Sequence, residues 1–191
     1  MEQKVVIVTA PSGAGKTTIV RHLLSRFPQL AFSVSATTRE HRAGEVNGVD
    51  YYFLSSEEFK QRLAANEFVE HEEVYHDSFY GTLMIELQRL WQQEKIIVFD
   101  VDVKGAIALK KKFGEQALSI FVKPPSTEIL DQRLRSRATD SLEKIEERIN
   151  KAHHELAFEE YFDQTILNDQ LHNALEEAEN MVNDFLTSTS A

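Results

Sequence analysis

The stretch VVIVTAPSGAGKTT, residues 5–18, decides how the whole chain is read. Its first half is a short apolar run ending in small residues and Pro11, the pattern of a strand buried on both faces of a parallel sheet. Its second half opens a helix: Ile19, Val20, Leu23, Leu24 and Phe27 fall at helical spacing until Pro28 ends the run. A glycine-bearing turn from a buried strand into a helix N-terminus is the setting of a phosphate loop. Gly13 and Gly15 allow backbone N–H groups to curl around phosphate without Cβ clashes. The helix start adds aligned N–H dipoles, Lys16 adds a point charge for the β- and γ-phosphates, and the Thr17 hydroxyl suits Mg²⁺, which takes few protein ligands on nucleotide phosphates. Ala10, Pro11, Ser12, Gly13, Ala14, Gly15, Lys16, Thr17 and Thr18 are therefore expected to hold a nucleoside triphosphate. The full loop pattern has Gly where this chain has Ala10; a small residue serves there if its φ stays negative.

Beyond the loop, IIVFD (96–100), LSIFV (118–122) and QTILN (164–168) read as further buried strands, with Phe32–Ser35 as a shorter candidate. Helical patterns lie at about 82–93, around 106–112 and at 171–185, where Leu171, Leu175, Ala178, Val182 and Phe185 share a face. Strands alternating with helices imply an α/β three-layer sandwich with a mostly parallel central sheet. Two stretches break the alternation. About 33–82 carries a capping box, Ser55-x-x-Glu58, and strand-like pieces at 51–53 and 67–75. About 126–155 is polar, helical and arginine-bearing. They are read as insertions on a single domain whose core is 1–32, 83–125 and 156–191.

The composition fits one globular domain: 191 residues, 42% hydrophobic and 27% charged, with only 7 Gly and 4 Pro. That excludes collagen-like and disordered classes. Cysteine is absent, which excludes disulfide scaffolds, thiol nucleophiles and Cys-ligated metal centres. The net charge is −10, and residues 152–191 hold nine acids with no Lys or Arg. Such a chain is a poor nucleic-acid binder, so no nucleic-acid partner is expected and any phosphate chemistry must use a local basic cluster before residue 152. The longest apolar runs are far short of the roughly 20 residues of a membrane span. The start, MEQKVVIVTAPSG, reads as a first strand rather than a signal peptide. A cytoplasmic protein without membrane attachment is expected; oligomeric state is left open.

Asp100 and Asp102 sit two apart at the carboxyl end of a strand, and ligands of open α/β sheets bind beyond those ends. They could hold metal-bound water or accept hydrogen bonds from substrate; the alternative is a helix cap or turn. His71, Glu72, Glu73, His76 and Asp77 fit no standard metal spacing and read as the surface of a hairpin.

SVSATTREHRAGEVNGVDYYF (33–53), EFVEHEEVY (67–75) and YGT (80–82), together with the phosphate loop, resemble the guanylate kinases, P-loop kinases that phosphorylate GMP. The resemblance runs over nearly the whole chain. It implies ATP as phosphoryl donor with Mg²⁺, held by Thr17 and, through water, Asp102, and GMP (with dGMP) as acceptor. The implied GMP site is Ser35, Arg39, Arg42, Tyr51, Glu70, Tyr80, Thr82 and Asp100: Arg39, Arg42, Tyr51 and Tyr80 on the phosphate, Glu70 reading the guanine with Asp100 assisting, Ser35 and Thr82 offering hydroxyls to the base. The residues themselves agree. Guanidinium forks match phosphate bidentately, and a carboxylate can accept from guanine N1–H and N2–H₂, whereas adenine N1 would repel it. PPSTEILDQRLRSR (124–137) with Arg148 resembles the family's lid, whose arginines, here Arg133, Arg137 and Arg148, would join Lys16 and Arg39 as catalytic cations. The family commonly has Gly where this chain has Ala138. Asn168 corresponds to a position near the adenine of ATP. Two other readings stay open: a non-enzymatic guanylate-kinase-like binding module, and a P-loop kinase for another small phosphorylated acceptor.

Overall fold

In a computed structural model of the chain, residues 3–136 and 142–188 are described. Five parallel strands form the central sheet: β1 (Val5–Thr9), β2 (Leu30–Phe32), β7 (Ile96–Asp100), β8 (Ala117–Lys123) and β9 (Gln164–Leu167), in the order β2-β7-β1-β8-β9. The strand alternation sorts the core into two layers. Val6 and Val8 of β1 join Ile19, Leu23, Val98, Ile120, Val122, Ala178 and Val182 on one side. Val5 and Ile7 join Leu87, Leu90, Ile97, Phe99, Ala106 and Leu109 on the other. The first layer is covered by α1 (Lys16–Arg26) and α7 (Leu171–Thr187), the second by α3 (Met84–Gln92) and α4 (Val103–Phe113). This is the three-layer α/β sandwich with a mostly parallel sheet expected from the alternation. It is the reason the strands read as unbroken apolar runs: both faces are buried.

A second, mixed sheet of order β4-β3-β6-β5 is built from β3 (Ala36–Thr37), β4 (Tyr52–Phe53), β5 (Phe68–Tyr75) and β6 (Ser78–Leu83). The β5–β6 hairpin accounts for the acidic and histidine-bearing surface around residues 71–77. Helix α2 (Ser56–Ala64) packs Phe59 against Phe68 and Phe79 of this sheet. Its capping box forms as the sequence implies: the Ser55 hydroxyl accepts from Glu58 N, and Glu58 Oε2 accepts from Ser55 N. Helices α5 (Thr127–Arg135) and α6 (Leu142–Leu156) pair through Leu130, Leu134, Ile145, Ile149 and Ala152. Arg137 and Ala138 lie outside the described residues.

Sequence reading misplaced one strand and omitted two. The Phe32–Ser35 candidate lies at Leu30–Phe32, and Ser33–Ser35 lead out of the sheet toward β3. The strand segments Ala36–Thr37 and Ser78–Leu83 are too short or too Gly- and Ser-bearing to show a period, and form through their neighbours: Ser78–Leu83 pairs along β5, and Ala36–Thr37 joins its other edge.

Glu86, on α3, is buried and links the two sheets. Its carboxylate accepts from Val34 N (3.1 Å), from the Tyr52 hydroxyl (3.1 Å) and from Arg89 (2.8 and 2.9 Å). Removing it would orphan buried donors. Glu86→Ala is expected to destabilise the fold by about 2–4 kcal/mol in urea unfolding, while Glu57→Ala on the exposed side of α2 changes stability by less than about 0.5 kcal/mol.

Candidate active site

At the carboxyl end of the central sheet a cavity of about 390 Å³ opens between the loop after β1, the second sheet and α6. The loop's shape depends on two left-handed glycines, Gly13 (φ 91°) and Gly15 (φ 98°), which an L side chain rarely adopts. Ala10 is not among the residues with positive φ, so the absent loop glycine leaves no strain there. Ala14 N donates to Pro11 O, and α1 begins directly after Gly15 with no side-chain cap, leaving its N-terminal dipole facing the cavity.

Lys16 sits at the centre of the site. Its ammonium is 2.8 Å from Asp100 Oδ1 and donates to Val101 O at 2.7 Å. Burial alone would pull its pKa down, but the Asp100 carboxylate, with Asp102 behind it, more than offsets this and holds it above the usual lysine value. Asp100 is thus the lysine's partner, a role that sequence reasoning did not give it. Asp102 is the N-cap of α4: its Oδ1 accepts from Gly105 N at 2.9 Å. The cap alternative therefore holds for one of its oxygens. The other, Oδ2, is buried without a hydrogen-bond partner among the described residues and lies 3.6 Å from Lys151 Nζ. Thr17, Asp100 and Asp102 all border the cavity. An oxygen-only set with one unsatisfied carboxylate oxygen fits a hard cation such as Mg²⁺ that keeps water and phosphate as its other ligands.

On the opposite wall, β5 alternates its side chains so that Glu70, Glu72 and Val74 all border the cavity. Glu70 is nearly enclosed. Burial, with the nearby charge of Asp102, pushes its pKa up to about 7, against the hydrogen bond from the Thr82 hydroxyl to Oε1 at 2.7 Å. Gly105 leaves room for it, since a Cβ there would lie 2.9 Å from Glu70 Oε2. Arg39, Arg42, Tyr51, Tyr80 and Ser35 line the same cavity. The Arg39 fork is pre-oriented by a bidentate pair to Glu45 (2.7 and 2.9 Å) and lies over the Tyr51 ring. The pairing raises the Arg39 pKa and lowers that of Glu45 to about 2. Arg148, Lys151 and Glu155 contribute the α6 wall. Lys151 Nζ donates to Val74 O at 3.3 Å, tying α6 to the second sheet, and burial raises the pKa of Glu155.

The structure thus brings together Ala10–Gly13, Gly15–Thr18, Ser35, Arg39, Arg42, Tyr51, Glu70, Tyr80, Asp100, Asp102 and Arg148 around one cavity. Other expected site residues lie elsewhere. Ala14 is fully buried beneath the loop. Thr82 is also fully buried, and its hydroxyl is committed to Glu70 rather than turned toward a ligand. Arg133 does not border the cavity; it donates to Asn168 O at 3.4 Å. Asn168 is buried behind the loop, where its amide donates to Ala14 O. Sequence reasoning missed Glu45, Glu72, Lys151 and Glu155. Arg148, Lys151 and Glu155 are spaced i, i+3, i+7 on one helix face, a signal that could have found the last two.

A hydrogen bond to a charged acceptor is worth about 1.5–3 kcal/mol, so Thr82→Val is expected to raise the Glu70 pKa by at least about one unit. A carboxyl ¹³C NMR titration measures it, and an unmoved midpoint would contradict the contact's role.

The family model described as guanylate kinase matches residues 2–185. A guanylate kinase of Bacteroides fragilis is 50% identical over 97% of this chain and 91% of its own length. One from Porphyromonas gingivalis is 48% identical over 96% of this chain and 98% of its own. The crystal structure of guanylate kinase from Anaplasma phagocytophilum superposes with a TM-score of 0.76 at 28% identity, over 97% of this chain and 87% of that one. Loop, cavity and relatives agree, and this chain belongs to the guanylate kinase family.

Proposed function

We propose that this chain transfers the γ-phosphoryl group of ATP to GMP, and to dGMP, releasing ADP and GDP. The observation that carries the reading is one cavity bordered on one side by a phosphate loop and on the other by an enclosed carboxylate beside two arginines and two tyrosines. The loop suits the donor triphosphate. Arg39, Arg42, Tyr51 and Tyr80 suit the acceptor phosphate. Glu70, ionised, accepts from guanine N1–H and N2–H₂ while Ser35 and Asp100 border the same space.

Transfer is direct and in line. The attacking oxygen of GMP is already anionic, so no strong general base is needed. The work of the protein is alignment and charge neutralisation. Lys16, Arg39 and Arg148 border the cavity, and Arg133 and Arg137 would join them if the α5–α6 hairpin moves inward over bound ATP. Mg²⁺, held by Thr17 and through water by Asp102, would supply further neutralisation on the β- and γ-phosphate oxygens when bound. The segments 33–82 and 126–155 act as the acceptor module and lid on the core 1–32, 83–125 and 156–191, and their closure excludes water from the reacting phosphates. Among the described residues no helix is long and apolar enough to cross a membrane, and a cytoplasmic location without nucleic-acid partners suits the small-molecule chemistry.

Glu70 gives the test. With a pKa of about 7 before GMP binds, its ionised fraction falls about tenfold from pH 8 to pH 6. The wild-type advantage over Glu70→Gln in GMP affinity is therefore expected to shrink by about tenfold over that range, measured by calorimetric titration. Affinity for ATP should be equal in the two proteins throughout. A pH-independent ratio, or equal losses of ATP and GMP, would contradict the assignment.

A further inference from the structure

Asn168 follows the last residue of β9, one strand beyond β8 and far from the loop in sequence. Its main-chain N–H donates to Lys123 O at 2.8 Å, extending the β8–β9 pairing by one residue and fixing the backbone. From that anchor its side chain runs beneath the phosphate loop. It is 6% exposed, and its Nδ2 donates to Ala14 O at 2.7 Å. The amide lies so close to Gly15 that any Cβ there would overlap Nδ2. Its main-chain O accepts from Arg133 of α5. The same helix packs Leu130 and Leu134 over Gly13.

The Ala14 carbonyl precedes Gly15, and the peptide between them sets the direction of the Gly15 N–H. When a carbonyl is fixed on one side of a peptide plane, the N–H on the same plane is fixed on the other. A buried amide that holds Ala14 O away from the cavity therefore aims the Gly15 N–H toward it, in the stretch whose N–H groups would cradle phosphate. Ala14 is fully buried in the apolar layer of the core, and among the hydrogen bonds of the described residues its carbonyl accepts from Asn168 Nδ2.

We propose that Asn168 is a positioning residue for the donor triphosphate, acting through the phosphate loop rather than by contact with the adenine. The proposal rests on the reading of the loop as the ATP site and deepens it. It assigns the residue to the phosphate part of the donor, so the loss on substitution is independent of the base.

The test compares ATP with inorganic tripolyphosphate, which carries no base, both with Mg²⁺, on wild type and Asn168→Ala by calorimetric titration. Asn168→Ala is expected to weaken both ligands by the same factor, about tenfold or more, with GMP affinity unchanged. Loss of ATP affinity with tripolyphosphate unaffected would place the residue's action on the base and overturn the proposal. So would unchanged binding of both ligands, or parallel losses for GMP, which would indicate general loss of structure. Wild type that binds neither triphosphate would instead defeat the reading of the loop itself. A second measurement needs no variant: in the wild-type protein the Asn168 Nδ2 protons are expected to exchange slowly with solvent, with and without tripolyphosphate. Fast exchange in both states would overturn the proposal.

Discussion

Lys16 and Asp100 meet 2.8 Å apart because β1 and β7 are hydrogen-bonded neighbours whose carboxyl ends stop at the same level. One strand feeds the phosphate loop and the other ends in the acid, so the strand order itself sets a cation beside an anion at the floor of the cleft. A lysine buried alone would lose its proton or destabilise the fold. The pair keeps it charged and holds it in a single place. Neighbouring groups depend on that arrangement. Asp102 caps α4 with one oxygen and presents the other, and Glu70 comes over Gly105 to the start of the same helix. Its high pKa follows from burial next to Asp102. The loop wall and the second-sheet wall of the cavity therefore share one electrostatic centre.

The walls differ in how they are built. The loop side has two glycines in a conformation other residues rarely adopt, packed from behind by Leu130, Leu134 and Asn168. The opposite side stands on the second sheet with its own small apolar cluster around Phe59, joined to the core through buried Glu86 and through polar bridges such as Lys104 to Glu72. Val69 of β5 also packs against the core layer that holds Leu87 and Phe99, so the junction combines apolar and polar contacts. Lys151, which touches both Val74 O and the neighbourhood of Asp102, ties the helix α6 to each of the others.

Much of this was legible in the residues. The central strands announce themselves by unbroken apolar runs, and α1 and α7 by their periodicity. The loop is legible because glycine, lysine and threonine at that spacing have few other uses. The second sheet was largely hidden: β3 and β4 are two residues each, and β3 and β6 are defined by their pairing with β4 and β5 and with each other rather than by their own composition. Side-chain commitments were also hidden. A hydroxyl such as Thr82 reads equally as a ligand contact or as a support for Glu70, and only the fold brings the carboxylate within 2.7 Å of it. Asn168 and Arg133 are separated from the loop by more than a hundred residues, and no local pattern marks their convergence behind it.

In the proposed acceptor site one carboxylate, Glu70, would distinguish purines by their hydrogens. Initial rates of ADP release with Mg²⁺ and ATP, measured side by side for GMP, IMP and AMP, test it most directly. GMP offers Glu70 two donor groups, IMP one and AMP an acceptor. The predicted order is GMP, then IMP, then AMP, with GMP ahead of AMP by about 10⁴ in kcat/KM, as for sites built around a substrate's hydrogen bonds. Comparable rates with GMP and AMP, or turnover confined to a phosphorylated sugar, would contradict it.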